Sequence, residues 1–195
     1  MSPFDYAVGL VSILVGLALA DVAASLHKLL RQGRSVKWDG RVILSVALVI
    51  VVITGMWFSV WSIRSVKAVL SFPFYLSIFL EFMVLFLVCA ACLPDDVAEN
   101  RDLKVFYEGN RRYLWSLFTL FQTSFFLHWI YFAIDPGGRG PTHRGSLLLS
   151  GAMVFAPIVV SLLLGFTRAR RFHYAALVAL LLFYLYVYWR ATLAV

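Results

Sequence analysis

Apolar positions fill this chain in six long blocks, and polar ones are held to the short links between them. The blocks run from about Phe4 to Leu30, Val42 to Ile63, Val69 to Leu93, Tyr113 to Ile134, Ser146 to Phe166 and Tyr174 to Trp189. A helix needs ~20 mostly apolar residues to cross a bilayer, and almost nothing here lies outside such a stretch or a short link. The pattern predicts an all-α polytopic membrane protein, a single domain over residues 1–195 built as a bundle of six transmembrane helices. Turn chemistry marks two of the ends: Pro94-Asp95-Asp96 closes the third block and Asp135-Pro136-Gly137-Gly138 the fourth.

The third link has a pattern of its own. Between Asp102 and Arg112 it places Leu103, Phe106 and Tyr107 at helical spacing with charges around them. That pattern predicts a short interfacial helix before the fourth span, lying in the membrane surface. Gly109-Asn110 is the expected bend between the two.

Charge orients the bundle. Twelve Lys and Arg residues fall on the first, third and fifth links, in Lys28–Arg41, Arg101–Arg112 and Arg168–Arg171. Five fall on the opposite side: Arg64, Lys67, Arg139, Arg144 and Arg190. Basic links stay cytoplasmic, so both termini are expected on the non-cytoplasmic side. The aromatics Tyr184, Tyr186, Tyr188 and Trp189, with Trp129 and Tyr131, gather at the outer ends of their spans, where amphipathic rings prefer to sit.

Composition narrows the class further. Hydrophobic residues are 62% of the chain, charged residues 14%, and mean hydropathy is +0.87, against ~45–50% apolar and ~25% charged in a soluble domain. A net charge of +7 would suggest nucleic acid in a soluble protein. Here the bases sit at helix ends, as topology signals and headgroup contacts, so the expected partner is the lipid bilayer and not nucleic acid. Two cysteines are too few for a disulfide framework. Ala18-Leu19-Ala20 mimics a cleavage site, but the segment before the apolar run holds Asp5 and no Lys or Arg. A signal peptide needs a positive start, so the first block is read as a span.

Several short pieces, in order, cover most of the chain: Phe4-Asp5-Tyr6 leading into Ser12–Asp21, Trp57-Phe58-Ser59-Val60-Trp61, Leu93-Pro94-Asp95-Asp96, Phe106-Tyr107 with Asn110–Trp115, and Arg170–Ala176. As a set they resemble a family of uncharacterised, small, six-helix bacterial membrane proteins. The resemblance implies a multi-pass protein of the bacterial inner membrane and carries over no catalytic or ligand residues.

Polar groups inside the spans are the candidate site. Glu81 lies nine residues beyond Phe72, ~13 Å along a helix axis and close to the midplane. His128 lies in the outer third of span four, four residues after Ser124, and Asp21 in the inner third of span one, with Ser25 and Lys28 on its face. Ionisable groups at such depth are costly and often mark ion pathways or proton relays, and otherwise hydrogen-bond helices together. Ser116, Thr119, Gln122 and Thr123 share a face of span four, which would line a polar path or bond neighbouring helices at ~0.6 kcal/mol apiece.

The remaining features read more simply as packing. Gly9, Ser12, Gly16, Ala20 and Ala23 form a smooth stripe on span one, expected to pack against another helix, since small residues let backbones approach. Trp57 and Trp61, with Thr54, read as an interfacial belt rather than a ligand lining. Pro157 is expected to shape span five. Cys89 and Cys92 are placed to reach one soft metal, but a structural metal usually needs four ligands, so they read as buried packing residues.

Motifs of hydrolases, zinc proteases, phosphate loops and dinucleotide folds are all missing from the sequence. Gly137-Gly138-Arg139-Gly140-Pro141 joins two spans and reads as a turn. No enzymatic activity, cofactor or metal is expected. Two readings remain: an oligomeric channel or transporter for protons or small cations, or a non-catalytic accessory subunit of a larger membrane complex.

Overall fold

The structure, a computed structural model, describes residues 3–60, 71–95, 102–134 and 144–193. Trp61, Arg64, Lys67, Asp96, Arg101 and the turn over 135–143 lie outside the described residues. Among those described are six helices: α1 Pro3–Gln32, α2 Gly40–Val60, α3 Phe72–Ala91, α4 Leu103–Ile134, α5 Arg144–Phe166 and α6 Arg170–Leu193, with one 3-10 turn at Gly33–Ser35. Four of them, α1, α2, α3 and α6, are long and apolar enough to cross a membrane. This marks the chain as a membrane protein, and helices are what lipid demands, because it offers backbone N–H and C=O groups no water. The described apolar part of α5, Ser150–Phe166, is shorter. Helix α4 has the length but carries Lys, Glu, Asn and Arg in its first turns.

Local chemistry sets the helix ends. Gly33 adopts φ +54° after α1, a left-handed conformation that ends a helix at little cost in glycine. Pro73 occupies the first turn of α3, where its missing N–H costs nothing. Asp102 caps α4: its Oδ1 accepts from the backbone N–H of Lys104 at 3.1 Å and of Val105 at 3.3 Å. Those bonds, the Val105 one foremost, hold its carboxyl below the usual carboxylate range.

Chain neighbours are not always the closest partners in space. The most extensive contacts are α4 with α5, α2 with α6, α1 with α3, and α3 with α4. Helix α2 also touches α1, α3 and α4, so it sits centrally. Helices α1, α3 and α5 run toward the end that carries the basic first, third and fifth links, here the basic end; α2, α4 and α6 run away from it. The Leu103 N–H donates to the Lys37 carbonyl at 3.1 Å, which ties the first link to the third. The core is a dense apolar layer in which Leu85, Phe118, Leu164 and Leu177 are fully buried, while Ile13, Leu80, Leu127 and Leu182 face outward.

One expectation, for the third link, is corrected here. There is no separate interfacial helix, because Leu103–Ile134 is one continuous helix. Leu103, Tyr107, Leu114, Trp115, Phe118 and Phe121 form a single buried stripe along it, so Leu103 and Tyr107 of the third link face the bundle, while Phe106 is half-buried and Val105 exposed. Nor does Gly109-Asn110 interrupt the helix; the Asn110 side chain donates to the Ala91 carbonyl at 2.6 Å, satisfying an orphan acceptor at the end of α3. In the small-residue stripe of α1, Ser12 takes a hydrogen bond from Trp57 of α2, whereas the glycines have no described helix against them. A Cβ added at Gly9 or Gly16 would meet nothing within 4 Å, and Gly9, Gly16, Ala20 and Ala23 are exposed. Small side chains permit close approach, but α1 meets α3 and the rest of the bundle through Val11, Val15, Ala18 and Val22 instead.

Candidate functional site

Near the middle of α3, Ser77 and Glu81 stand one helical turn apart on the face that meets α4. Facing them is His128. Its Nδ1 lies 3.0 Å from Glu81 Oε2 and its Nε2 lies 2.9 Å from Ser77 Oγ. Glu81 is 4% exposed, and its second oxygen, Oε1, is buried without a hydrogen-bond partner among the described residues. The ring of Phe74 lies against His128, centroids 5.5 Å apart. The sequence singled out Glu81 and His128 separately; the fold makes them one site.

Hydrogen-bond accounting fixes the number of protons in that site. The Ser77 hydroxyl spends its only hydrogen on the Phe74 carbonyl, 2.7 Å away. Ser77 Oγ must therefore accept from His128, so Nε2 carries a hydrogen. One further proton then has to lie between His128 Nδ1 and Glu81 Oε2, because neither atom alone can bond the other without it. It rests on the carboxyl of a neutral pair or on the imidazolium of an ion pair. The total charge is zero either way, which is what a buried pair in an apolar surround requires.

Beside the pair is a cavity of about 250 Å³. Glu81 and His128 form its polar wall, and Met56, Phe74, Ile78 and Phe125 much of its apolar one. A second cavity of about 210 Å³ shares Met56 and Phe125 with the first and reaches Gln122, Tyr184 and Pro157. Gln122 is buried and donates to the Tyr184 hydroxyl. Tyr184 stacks on Tyr188, centroids 5.9 Å apart. On the basic-end side of Glu81 and His128 along α3 and α4, Leu85, Phe118 and Phe121 are almost completely buried, and Phe121 also lines the second cavity.

The other polar candidates scatter. Thr119 Oγ1 is 3.0 Å from Ser161 Oγ, linking α4 to α5, while Ser116 and Thr123 are exposed. The shared face of span four thus divides between helix-bonding groups and outward ones. Asp21 is half-buried on α1 and has no ion-pair partner among the described residues, Lys28 included. Cys89 and Cys92 are free thiols in the core. Trp57 is 41% exposed and donates Nε1–H to Ser12 Oγ at 2.9 Å, joining α2 to α1.

Sequence reasoning missed a second polar network at the basic end. Arg41 clasps Asp39 through Nε and Nη2, each at 3.0 Å, and its Nη2 reaches Glu108 at 3.3 Å. Its guanidinium lies over the Tyr107 ring, 4.8 Å from the centroid. Arg41 and Asp39 are both 3% exposed. Burial alone would raise the Asp39 carboxyl, but hydrogen bonds from the Arg41 side chain and backbone outweigh it and hold it below the usual range. Trp115 Nε1–H donates to the Tyr107 hydroxyl at 3.1 Å, which donates to His173 Nδ1 at 2.8 Å. His173 Nε2–H then donates to the Thr167 carbonyl at 2.8 Å. In the sequence Arg41 reads as one more basic residue of a link, and Tyr107 as an apolar anchor. Only the i, i+2 pairing of Asp39 with Arg41 at a helix start was a local signal.

No protein-family model, curated protein or solved structure matches this chain. Its function rests on the geometry alone.

Proposed function

We propose that this protein is a proton-handling membrane transporter whose loading site is the Glu81–His128 pair. The observation that carries the reading is the single proton shared between Glu81 and His128 beside a cavity at mid-span. A carboxyl and an imidazole sharing one proton in a buried, neutral site can take up or release it with small atomic movement. Glu81 Oε1 is left as an open acceptor toward a further proton or a small cation. The layer of Leu85, Phe118 and Phe121 favours a transporter that alternates its access over a continuously open pore.

The topology belongs to the same proposal. All six helices span: the last part of α4, from Tyr113 to Ile134, crosses, and its bonds to Ser161 and Tyr184 shield the polar side chains that lower its hydropathy. The basic links then face the cytoplasm of a bacterial inner membrane, with both termini outside. The accessory-subunit reading is favoured by one observation: the Gly9, Gly16 and Ala23 stripe is turned outward, where a helix of another subunit, from a second copy or a larger complex, would approach closely.

The experiment is proton flux in liposomes under an imposed pH gradient. Wild-type protein is expected to dissipate the gradient faster than empty liposomes, and Glu81→Gln to lose most of that excess. Gradient decay equal to that of empty liposomes, or an unchanged rate in folded Glu81→Gln, overturns the transport reading and leaves the accessory one.

A further inference from the structure

At the basic end the helices enclose a polar cavity of about 320 Å³, lined by Arg41, Glu108, Arg111, Arg168 and His173. We infer that this cavity binds a phosphate group, carried either on a lipid headgroup or on a soluble molecule. It is separate from the Glu81–His128 site and does not rest on the transport reading.

The argument is one of charge and unused donors. Asp39 and Glu108 between them engage Nε and Nη2 of Arg41. Arg111, 6% exposed, donates Nη1 to the Thr167 carbonyl and keeps its other N–H groups. Arg168 has no carboxylate within ion-pair distance among the described residues. His173 adds no charge, since Nδ1 accepts from Tyr107 while Nε2 donates to Thr167. In the wall three guanidinium groups thus face one carboxylate, Glu108; Asp39 behind Arg41 is itself near Arg170, and the excess is positive. A phosphodiester or a monoanionic phosphate balances it.

Geometry agrees with charge. Planar guanidinium forks match phosphate oxygens better than an ammonium does, and all the basic groups of the wall are arginines. The start of α6 at Arg170 adds the positive end of a helix dipole. The cavity lies where the apolar stretches of α2 and α6 begin, which is headgroup depth, and basic pockets between spanning helices at this level recognise anionic headgroups.

The test uses the full chain in a neutral detergent. Inorganic phosphate and dioleoylphosphatidylglycerol are titrated separately, with binding read by native mass spectrometry. Arg168→Gln removes a cavity arginine that is exposed and bonded to nothing else described. Arg171→Gln removes an exposed arginine of the same end that does not line the cavity. Binding of at least one ligand is expected, weakened roughly tenfold by Arg168→Gln, the size of one lost charged hydrogen bond, and under about twofold by Arg171→Gln. Lipid binding without phosphate binding assigns the headgroup; binding of both assigns a soluble phosphate as an admissible source. No binding of either, or equal weakening by the two variants, overturns the site. Should Arg168→Gln fail to fold, Arg168→Lys takes its place: it keeps the charge, loses the fork, and is expected to weaken binding in the same direction.

Discussion

Among the described residues the bundle holds two groupings of buried ionisable side chains, and they are built in opposite ways. At the basic end Arg41, Asp39, Glu108, Tyr107 and His173 bond one another on several sides. In mid-span Glu81 meets one partner through one oxygen and keeps the other unbonded. Saturation holds a structure in one state. A single shared proton and a spare acceptor leave room for two states. The same residue types, a carboxylate beside a basic partner, are thus saturated in one place and left with an unbonded acceptor in the other, which is what the proposed exchange site needs.

The sharpest way to break this comparison is to unfasten the basic end. Arg41→Gln would leave the buried Asp39 carboxylate without its bidentate partner and the Tyr107 ring without its cation. Breaking a buried pair from one side costs ~3–5 kcal/mol, so a large loss of thermal stability in detergent is expected. The pH dependence carries a sign of its own. Asp39 is held below its ordinary value of 3.8, so its contribution is present above that value and fades as pH falls through the lower, folded one. Wild-type stability should therefore drop below about pH 4, and Arg41→Gln should flatten that drop. A stability change under ~1 kcal/mol, the scale of an exposed pair, would show that the basic end fastens nothing.

Much of the fold could be read from the sequence, because lipid leaves the chain few choices. The apolar blocks gave the helices, and the charged links gave the two ends. What could not be read was which helix faces which. Glu81 and His128 were each legible as costly groups at depth, but 47 positions separate them in the sequence, and no local period says that α3 meets α4 there. Ser77, one turn before Glu81, was the overlooked hint. The interfacial helix failed for a related reason: Leu103 and Tyr107 have the spacing of a surface helix, and also that of the first turns of a buried one. Periodicity identifies a face, and the neighbours decide what the face meets. The outward turn of Gly9 and Gly16 makes the same point in reverse.

A second test lies at the level of the Glu81–His128 cavity, where α2 meets α6. A Cβ at Gly55 would run into Cδ2 and Cε2 of the Tyr188 ring, too close for any real contact. The ring also stacks on Tyr184, so moving it aside would disturb a second contact. Gly55→Ala is therefore expected to destabilise by ~1–3 kcal/mol, the usual cost of overpacking, with thermal unfolding as the measure. Gly16→Ala, with open space around it, is the paired control and should stay within ~0.5 kcal/mol of wild type. Equal effects at the two glycines would mean that the α2–α6 contact is not tight.

Apart from that control, the smallest expected effect is the most informative one. Glu81→Gln keeps the side chain's length and offers an amide N–H to His128 Nδ1. His128 Nε2–H can go on donating to Ser77, so each hydrogen bond of the wild-type site has a counterpart in the variant. The spare oxygen stays unbonded in both. Stability should then change by no more than ~1 kcal/mol, the net worth of one neutral hydrogen bond, in contrast to Arg41→Gln. What disappears is the exchangeable proton, since an amide cannot give one up to imidazole. Thermal unfolding of the purified variant measures this directly. A loss as large as that from Arg41→Gln would mean that Glu81 and His128 form a second fastening, and mid-span would then be built on the same principle as the basic end.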